Sequence, residues 1–520
     1  MHEDSNPTRT GDPAAAAQVR IQPTALSEDR SFADPLASQA AWWRIADFGV
    51  LGLWIVIVAF TLPHHEKWAD EAQAWLLARD LDLRTLWFHE LRYEGSPGLW
   101  HTILWVAQRV FHARYDSIGY IGAVCALAGV ALVLFKAPFP RPLRWMLVFT
   151  YFMVYQYAVI ARPYTLVPLL AFAAATLFKD IRHPERITVV LVLLANISLH
   201  GTIIAGCLGL AYLIDGIKSW ATLEERLRRR YVLCVAAMAF TFLFLFVILK
   251  PTPDVEEFVL KRDPAKYHIV EPPKLARVEA ILSGAFLDYS LPSAVFYLLA
   301  GAWCFTRRRL LTFALPTALL ILLYTRVHGF AHHHGTLFVA AIMGLWIAWP
   351  TAEEQQAFTI GERRATQGVI ALLVCLFGIN IWDAAVAIRH DYLYPYSGAE
   401  DAANYLRSVG AVGQPIFGYM YGVAGVQAYF DHNILSNLST TYYHHGEPLQ
   451  GRILDWEQIS AASPEYLIIH SLDPDTDYRI VNAALNSQGY KLVHLSDGYL
   501  FYKRSVYERQ AYLIYRRVVP

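Results

Sequence analysis

The sequence contains little charge for its length, since Asp, Glu, Lys and Arg make up only 17% of the 520 residues, whereas hydrophobic residues make up 55%. Soluble domains contain about 25% charged residues. A soluble globular chain is therefore excluded, and a polytopic membrane protein is expected. Cysteine is scarce as well, and an odd number confined to apolar stretches excludes a disulfide framework. The five are Cys125, Cys207, Cys234, Cys304 and Cys375. The sequence also lacks a glycine-rich phosphate loop and a fixed-period repeat.

Apolar stretches of spanning or nearly spanning length make up most of the chain. They predict a mainly α, polytopic helical membrane protein with about eleven transmembrane helices. The stretches lie near 45–62, 117–135, 144–160, 163–178, 187–200, 202–217, 231–249, 294–306, 310–325, 335–350 and 367–388. Residues 1–40 are rich in Ala, Pro, Ser, Asp and Arg without periodicity, and we predict a disordered cytoplasmic tail. No cleavable signal is recognised there, so the first stretch is expected to stay as a helix.

Basic residues predict the topology, because Lys and Arg are enriched in cytoplasmic loops. Every second loop is basic, which places the amino terminus inside and the residues after 390 outside. The clusters are Lys136, Arg141 and Arg144; Lys179, Arg182 and Arg186; Lys218, Arg226 and Arg228 to Arg230; Arg307 to Arg309; and Arg363 with Arg364. Residues 98–111 are interpreted as an amphipathic interfacial helix, because counting them as a span would reverse this pattern. The segment 63–116 then becomes the first extracytoplasmic loop of a membrane domain over 41–389, and 250–293 the second long loop.

Residues 390–520 differ in character from the rest of the chain. Candidate helices lie near 399–409 and 478–487, and candidate strands near 414–418, 466–470, 490–494 and 498–502. This mixture predicts a small extracytoplasmic α/β domain. It carries no recognisable nucleophile, metal or phosphate motif.

The first extracytoplasmic loop concentrates ionisable side chains directly after a span. Asp70 and Glu71 begin a helix-like run, and Arg79 lies near its end. Acids at a helix start and a base at its end are also typical of capping and of favourable helix-dipole interactions. Glu94 lies in a turn bounded by Gly95 and Pro97, where a carboxylate suits recognition of a polar headgroup or a sugar, although a solvent-facing acid is the simpler alternative.

Further candidates lie at the ends of later spans on the same predicted face. Arg162 interrupts an apolar hairpin directly before Pro163, where a guanidinium can bind phosphate or reach lipid headgroups. Arg326, His328 and three further histidines fall within one short outer loop. Their spacing allows a metal site or a polar rim that binds anionic phosphate. His200, in an outer turn, joins that rim or is a buried, hydrogen-bonded histidine.

Taken together, these motifs resemble those of the GT-C membrane glycosyltransferases, within the broad superfamily of protein mannosyltransferases and aminoarabinose transferases. The resemblance rests on an ordered set over about 45–390: an Asp-Glu pair after the first span, the turn YEGSPGLW, Arg-Pro-Tyr at the start of a later span, and an Arg-x-His-Gly loop. It departs from the family pattern where a His-Pro-Pro-like turn is replaced by Gly95-Ser96-Pro97-Gly98, and where no second aspartate accompanies Arg162-Pro163-Tyr164.

The resemblance implies an activity and roles for these residues. The activity is hexosyl or pentosyl transfer from a polyprenyl-phosphate-linked sugar to a glycan, lipid or protein acceptor outside the cytoplasm. Inversion at the sugar is expected, because the acceptor attacks opposite the leaving phosphate. Asp70 would be the catalytic base, with Glu71 beside it. Arg162, Arg326 and His328 would bind the donor phosphate, and Glu94, Arg79, Tyr164 and His200 would bind substrate.

Cofactors, partners and alternatives complete the expectations. No cofactor or metal ligand is assigned, and the need for a divalent cation is left open. Membrane lipids are expected partners and nucleic acid is not, with a multi-pass location in the inner, or plasma, membrane. A transporter or flippase of a lipid-linked anionic solute would instead carry charge near the middle of the spans. A noncatalytic envelope scaffold would tolerate substitutions in the acidic loop, and an oligosaccharide polymerase or ligase is a further enzyme class compatible with the sequence.

Overall fold

A computed structural model describes residues 35–253, 273–326, 331–444 and 454–518. The predicted tail therefore falls almost wholly outside the described residues, although its last residues, from Pro35, are helical. By its internal contacts the chain divides into two units, Met1–Ala46 and Asp47–Pro520. The described part of the first unit is the beginning of one helix, and everything discussed below lies in the second unit.

The described residues are mainly helical, as the sequence predicts. The α-helices are α1 (Pro35–Thr61), α2 (Ala69–Asp80), α3 (Leu83–Thr85), α4 (Leu91–Glu94), α5 (Leu99–Phe111), α6 (Ile118–Lys136), α7 (Arg141–Val148), α8 (Leu166–Leu177), α9 (Pro184–Ala195), α10 (Leu199–Lys218), α11 (Glu225–Ile248), α12 (Lys274–Ala285), α13 (Ser290–Thr306), α14 (Leu310–Arg326), α15 (His334–Ala348), α16 (Ala352–Gln356), α17 (Ile360–Leu393), α18 (Ala399–Ser408), α19 (Val423–Gln427), α20 (Trp456–Ala462) and α21 (Pro474–Ser487). The strands are β1 (Ile416–Tyr419), β2 (Tyr466–Ser471), β3 (Tyr490–Ser496), β4 (Tyr499–Tyr502), β5 (Ser505–Arg509) and β6 (Ala511–Arg517).

Several helices have the length and composition of membrane spans. Among the described residues, five are long and apolar enough to cross a membrane, or six if α12 and α13, which meet at a bend of 75°, count as one span. Shorter apolar helices accompany them, namely Pro163–Leu177, Leu310–Arg326 and His334–Ala348. On α11, large apolar side chains such as Phe240, Leu243 and Phe246 are exposed, as expected for a surface in contact with lipid. The predicted total of about eleven counted such shorter apolar segments as spans as well.

Two segments of the structure differ from their prediction. Residues 144–160 do not form one span, because α7 ends at Val148 and a π-helical segment, Phe152–Gln156, follows. The chain from Tyr151 to Ala161 is nevertheless buried throughout, so its apolar character reflects burial in protein. The predicted long loop 250–293 contains a helix, α12, from Lys274 onward, and its place outside the cytoplasm stays a prediction. Residues 254–272 of that loop lie outside the described residues.

The carboxyl-terminal region contains the predicted α/β arrangement. A four-stranded sheet has the order β1-β2-β6-β3, with β1 parallel to β2 and the other pairs antiparallel. Strand β2 is buried along its whole length because both faces of the sheet are covered. Ile468 and Ile514 pack on the side of α18, whereas Leu467 and Leu513 pack on the side of α21. The sequence prediction missed β5 and β6, which follow one another after a single residue.

Two sets of contacts hold this region against the first loop and against the helices that precede it. Helix α2 packs against the short helix α19. The β4–β5 hairpin reaches α17, where its turn residues Lys503 and Arg504 form ion pairs with Asp383 at 3.6 and 2.9 Å. Lys503 also lies 2.5 Å from Asp288. The proposed domain boundary at 389–390 stays a prediction, since residues on both sides of it belong to one compact unit.

Candidate active site

Helix α2 begins where the sequence predicts it, and its first turn gives its two acids opposite environments. Trp68, in an extended conformation, precedes the helix, and Asp70 and Glu71 occupy the first turn. The side chain of Asp70 is 21% exposed, whereas that of Glu71 is completely buried. Because side chains one residue apart point to different faces of a helix, only Asp70 faces the open side.

Asp70 forms an ion pair with Arg162. Its Oδ2 lies 2.8 Å from Nη2 of the arginine. Burial alone would lower the pKa of Arg162, but the charge of Asp70, with smaller contributions from Tyr164, Tyr443 and Glu71, outweighs burial and raises the pKa above its usual range. The guanidinium therefore stays charged. It lies 5.4 Å from the ring centre of Trp68 and 5.3 Å from that of Tyr164, so two aromatic rings hold it through cation–π contacts.

The guanidinium retains unused hydrogen-bonding capacity. Within the described part of the chain, Nε and Nη1 of Arg162 are buried and have no hydrogen-bond partner. Arg162 lines a small cavity together with Trp68, Gln156, His332 and Tyr507. A planar guanidinium with two free donors beside a cavity is suited to a phosphate or carboxylate group.

Glu71 lies in a buried network behind Asp70. Its Oε2 lies 3.2 Å from Nε2 of His65, and Nδ1 of the same imidazole lies 2.8 Å from Oδ2 of Asp391. Its Oε1 accepts a hydrogen bond of 2.8 Å from the backbone N–H of Ala161. Glu71 is therefore enclosed by this network and does not line the cavity at Arg162.

Glu94 is tied to the other side of α2. Gln73 donates a hydrogen bond of 2.8 Å to Glu94 Oε1, and it also bonds both backbone groups of Tyr443. The hydroxyl of Tyr443 donates to Asp70 Oδ1 at 3.4 Å. The turn after Glu94 requires glycine at position 95, because this residue has a φ of +59°. Gln73 and Tyr443 thus connect the two predicted carboxylates.

An aromatic and histidine cluster continues from Arg162. Tyr164 lies 5.2 Å from the ring centres of both His200 and His333, and the two histidine rings are 4.9 Å apart. His200 also lies 5.3 Å from Tyr324. Tyr164 and His200, both predicted as substrate-binding residues, therefore lie next to the Asp70–Arg162 pair.

Three predicted site residues lie elsewhere or are not described. Arg79, at the end of α2, bonds the neighbouring Asp80 and the carbonyl of Phe430, so it joins α2 to the carboxyl-terminal region. Arg326 ends α14 with an exposed side chain, and within the described residues no ion pair links it to Asp70. His328 lies outside the described residues.

Glu508 of β5 is a site residue that the sequence reasoning missed. Burial raises its pKa to about 7, and the negative charge of Asp70 contributes to this rise. Its neighbour Tyr507 lines the cavity at Arg162. A carboxyl group in an exposed hairpin gives no sequence signal of this proximity. Trp68 and Tyr443 were missed too, although a tryptophan two residues before Asp70 was a visible hint.

Metal ligands are not assigned. Across residues 35–253, 273–326, 331–444 and 454–518, no group of three or more His, Cys, Asp or Glu side chains is arranged to hold a metal ion. The histidines at 332 and 333 instead pack on each other, with ring centres 4.2 Å apart. Burial lowers the pKa of both well below the usual histidine value, so they are neutral near pH 7.

The arrangement of the helices defines the chain as a polytopic protein with a GT-C-like fold, confirming the predicted fold class. The comparison that shows this is with the crystal structure of ArnT from Cupriavidus metallidurans in the apo state, an aminoarabinose transferase and GT-C glycosyltransferase. The TM-score is 0.55 at 12% sequence identity, and the alignment covers 91% of this chain and 98% of ArnT. No family model matches the sequence, and no curated protein matches it either. The likeness therefore concerns the fold.

Proposed function

We propose that the protein is an integral membrane glycosyltransferase that moves a sugar from a polyprenyl-phosphate-linked donor to an acceptor outside the cytoplasm. The observation that carries this proposal is the Asp70–Arg162 pair, in which a partly exposed carboxylate touches a guanidinium with two unused donors beside a cavity. The GT-C-like fold supports it, because it is the fold of a glycosyltransferase with a similar chain length.

Arg162 is proposed to bind the donor phosphate. Transfer breaks the bond between the sugar carbon and the phosphate oxygen, and negative charge grows on that oxygen. Nε and Nη1 of Arg162 lie on different edges of the guanidinium, and either can donate to this oxygen. A fixed, desolvated guanidinium stabilises such charge more effectively than water does. Tyr164 and Trp68 hold the guanidinium plane in place.

Asp70 is proposed as the general base. The acceptor oxygen attacks the sugar carbon on the face opposite the phosphate, its proton passes to the Asp70 carboxylate, and the sugar configuration is inverted. A phosphate at Arg162 competes with Asp70 for the same cation. Donor binding would therefore share the guanidinium charge with the phosphate, so that the Asp70 carboxylate becomes a stronger base without moving away from Arg162. Glu94 and His200 are assigned to substrate binding beside this pair.

The first experiment replaces Asp70 by Asn in the purified protein. Because Asn cannot accept the proton, transfer should fall by about 10²–10⁴-fold when the variant is assayed with a panel of polyprenyl-phosphate sugars, with and without a chelator. Asp116→Asn is the matched control, since Asp116 is an exposed acid of the same loop and should retain wild-type transfer. Undiminished activity of the Asp70→Asn variant would overturn the assignment of the base.

The same preparation distinguishes the transporter alternative. In proteoliposomes, a flippase would move a labelled donor between leaflets without forming a glycosylated product. An enzyme would form product on one face. We propose that the protein lies in the inner membrane with its amino terminus in the cytoplasm.

A further inference from the structure

Three buried ionisable side chains from distant parts of the chain meet directly behind the proposed site. His65 follows α1, Glu71 lies in the first turn of α2, and Asp391 lies near the end of α17. The His65 side chain is 2% exposed and the two carboxylates are fully buried. The proposed mechanism uses none of the three at the reacting atoms.

Glu71 contacts the backbone on both sides of the Asp70–Arg162 pair. Its Oε1 accepts from the N–H of Ala161, the residue before Arg162, and its Oε2 accepts from the N–H of Trp68 at 3.3 Å. Glu71 itself follows Asp70 directly. One carboxylate therefore fixes the backbone that carries the base and the backbone that carries the phosphate-binding cation.

His65 connects this carboxylate to α17. Only a protonated imidazole can donate from both ring nitrogens, and here both nitrogens face carboxylate oxygens, at 2.8 and 3.2 Å. Burial by itself would lower the pKa of His65, but the charges of Asp391 and Glu71 outweigh it and raise the pKa to about 10. Other groups that act on the ring are Tyr396, with ring centres 4.6 Å apart, Tyr155, at 6.4 Å, and the adjacent Glu66, whose pKa burial raises to about 8.

We propose that His65, Glu71 and Asp391 form a positioning clamp that holds Asp70 and Arg162 at the distance needed for transfer. The clamp rests on the proposed function, and it assigns Glu71 a positioning role in place of direct catalysis. Its members act through other residues, because the cavity at Arg162 is lined by neither His65, Glu71 nor Asp391. A buried cation between two buried anions is suited to this task, since breaking such a set leaves an uncompensated charge.

The kinetic test uses Glu71→Gln and Asp391→Asn, with Asp116→Asn as the control. Asp116 lines the same outer groove as Asp391 but is exposed and lies outside the clamp. Glu71→Gln keeps an oxygen for the Ala161 N–H and removes the charge. We expect its kcat to fall by about 100-fold, because a small misplacement of the reacting groups has an effect of this size. The donor KM should change less.

The pH profile separates positioning from a merely structural effect. Asp391→Asn keeps an oxygen that accepts from His65 but removes one of the charges that keep the imidazole protonated. The variant should therefore resemble wild type at about pH 6 and lose kcat at about pH 7–9, where the wild-type imidazolium persists. Parallel profiles for the variant and wild type, or a Glu71→Gln kcat within about twofold of wild type, would overturn the clamp.

Hydrogen exchange at the Ala161 amide gives a readout without activity. Glu71→Ala removes the acceptor, so this amide should exchange faster than in wild type, whereas Glu71→Gln should preserve most of its protection. If wild type transfers no sugar but protection follows this order, the proposed function fails and the clamp has no role in transfer, although Glu71 still fixes the backbone at Ala161. If transfer occurs and protection does not depend on Glu71, the clamp fails alone.

Discussion

Arg162 forms an ion pair and still has hydrogen-bond donors that a ligand could use. One nitrogen contacts Asp70, and two others are buried with no partner within the described residues. Unpaired buried donors are costly unless a ligand or water satisfies them. A bound phosphate would satisfy at least one of them, so the cost in the free protein favours donor binding.

Arg162→Lys tests this reading. Lysine keeps the positive charge but cannot present two parallel donors, so kcat/KM for the lipid-linked donor should fall by about 10²–10³-fold. Transfer kinetics at varied donor concentration measure the change. Arg114→Lys serves as the control because Arg114 is an exposed residue of the same loop. Equal kcat/KM in the two variants would contradict the role of the guanidinium fork.

Glu508 is a second single residue with a testable consequence, because its charge should make donor binding depend on pH. Burial raises its pKa from 4.5 to about 7, with a contribution from the charge of Asp70. The native state thus favours the protonated acid, and this advantage is lost as the pH rises through about 7. Above that pH a second negative charge repels the donor phosphate. The donor KM should therefore increase between about pH 6 and 8 in wild type and stay constant in Glu508→Gln, as pH-dependent kinetics would show; identical profiles would refute it.

At the scale of elements, the β4–β5 hairpin is the part of the carboxyl-terminal region that reaches the site. Its turn is fixed by Lys503 and Arg504, which contact the fully buried Asp383 of α17. Tyr507 and Glu508 follow in β5. The hairpin therefore connects a membrane helix to the cavity at Arg162.

Asp383→Ala should loosen this connection. Removing the carboxylate leaves the nearly buried Lys503 without one of its partners, and breaking a buried pair costs roughly 3–5 kcal/mol. The thermal midpoint in detergent should fall clearly. Glu354→Ala removes the more exposed ion pair with Arg307, for which the loss should be about 0–1 kcal/mol. Equal midpoints in the two variants would contradict the anchoring role of Asp383.

Sequence periodicity predicted regular helices better than the irregular segments between them. Helix α2 and the turn at Gly95 are found where expected, because local propensity determines both. Residues 144–160 were predicted as one apolar stretch of nearly spanning length. Phe152–Gln156 form a π-helical segment instead, and the N–H of Ala161 bonds Glu71. Such a contact across 90 residues has no periodic signal.

At the scale of the whole molecule, the fold class could be predicted from composition and motif order. Only some of the residues of the candidate site could be predicted in this way. Asp70, Arg162, Tyr164 and His200 were selected because ionisable or polar residues at span ends are unusual. Tyr443 and Glu508 come from a region without any motif, so only the tertiary structure brings them to Asp70. Arg79 was selected by its place on α2 but binds the carbonyl of Phe430.

Topology is the prediction that belongs to the whole chain. In a background with the five native cysteines replaced, Thr222→Cys should react with an impermeant thiol reagent only after the membrane is opened, because it neighbours a basic cluster expected in the cytoplasm. Ser408→Cys should react in intact spheroplasts. Both positions are exposed, so accessibility is matched. Labelling of both from the same side would contradict the proposed orientation.

The contribution of the β4–β5 hairpin and Tyr443 to the site has a consequence for biosynthesis. The ribosome adds these residues to the chain after Asp70 and Arg162. A nascent chain stalled before the hairpin would be inserted in the bilayer yet lack one wall of the cavity. Any reaction would thus wait until the hairpin has been made and has folded against the membrane helices.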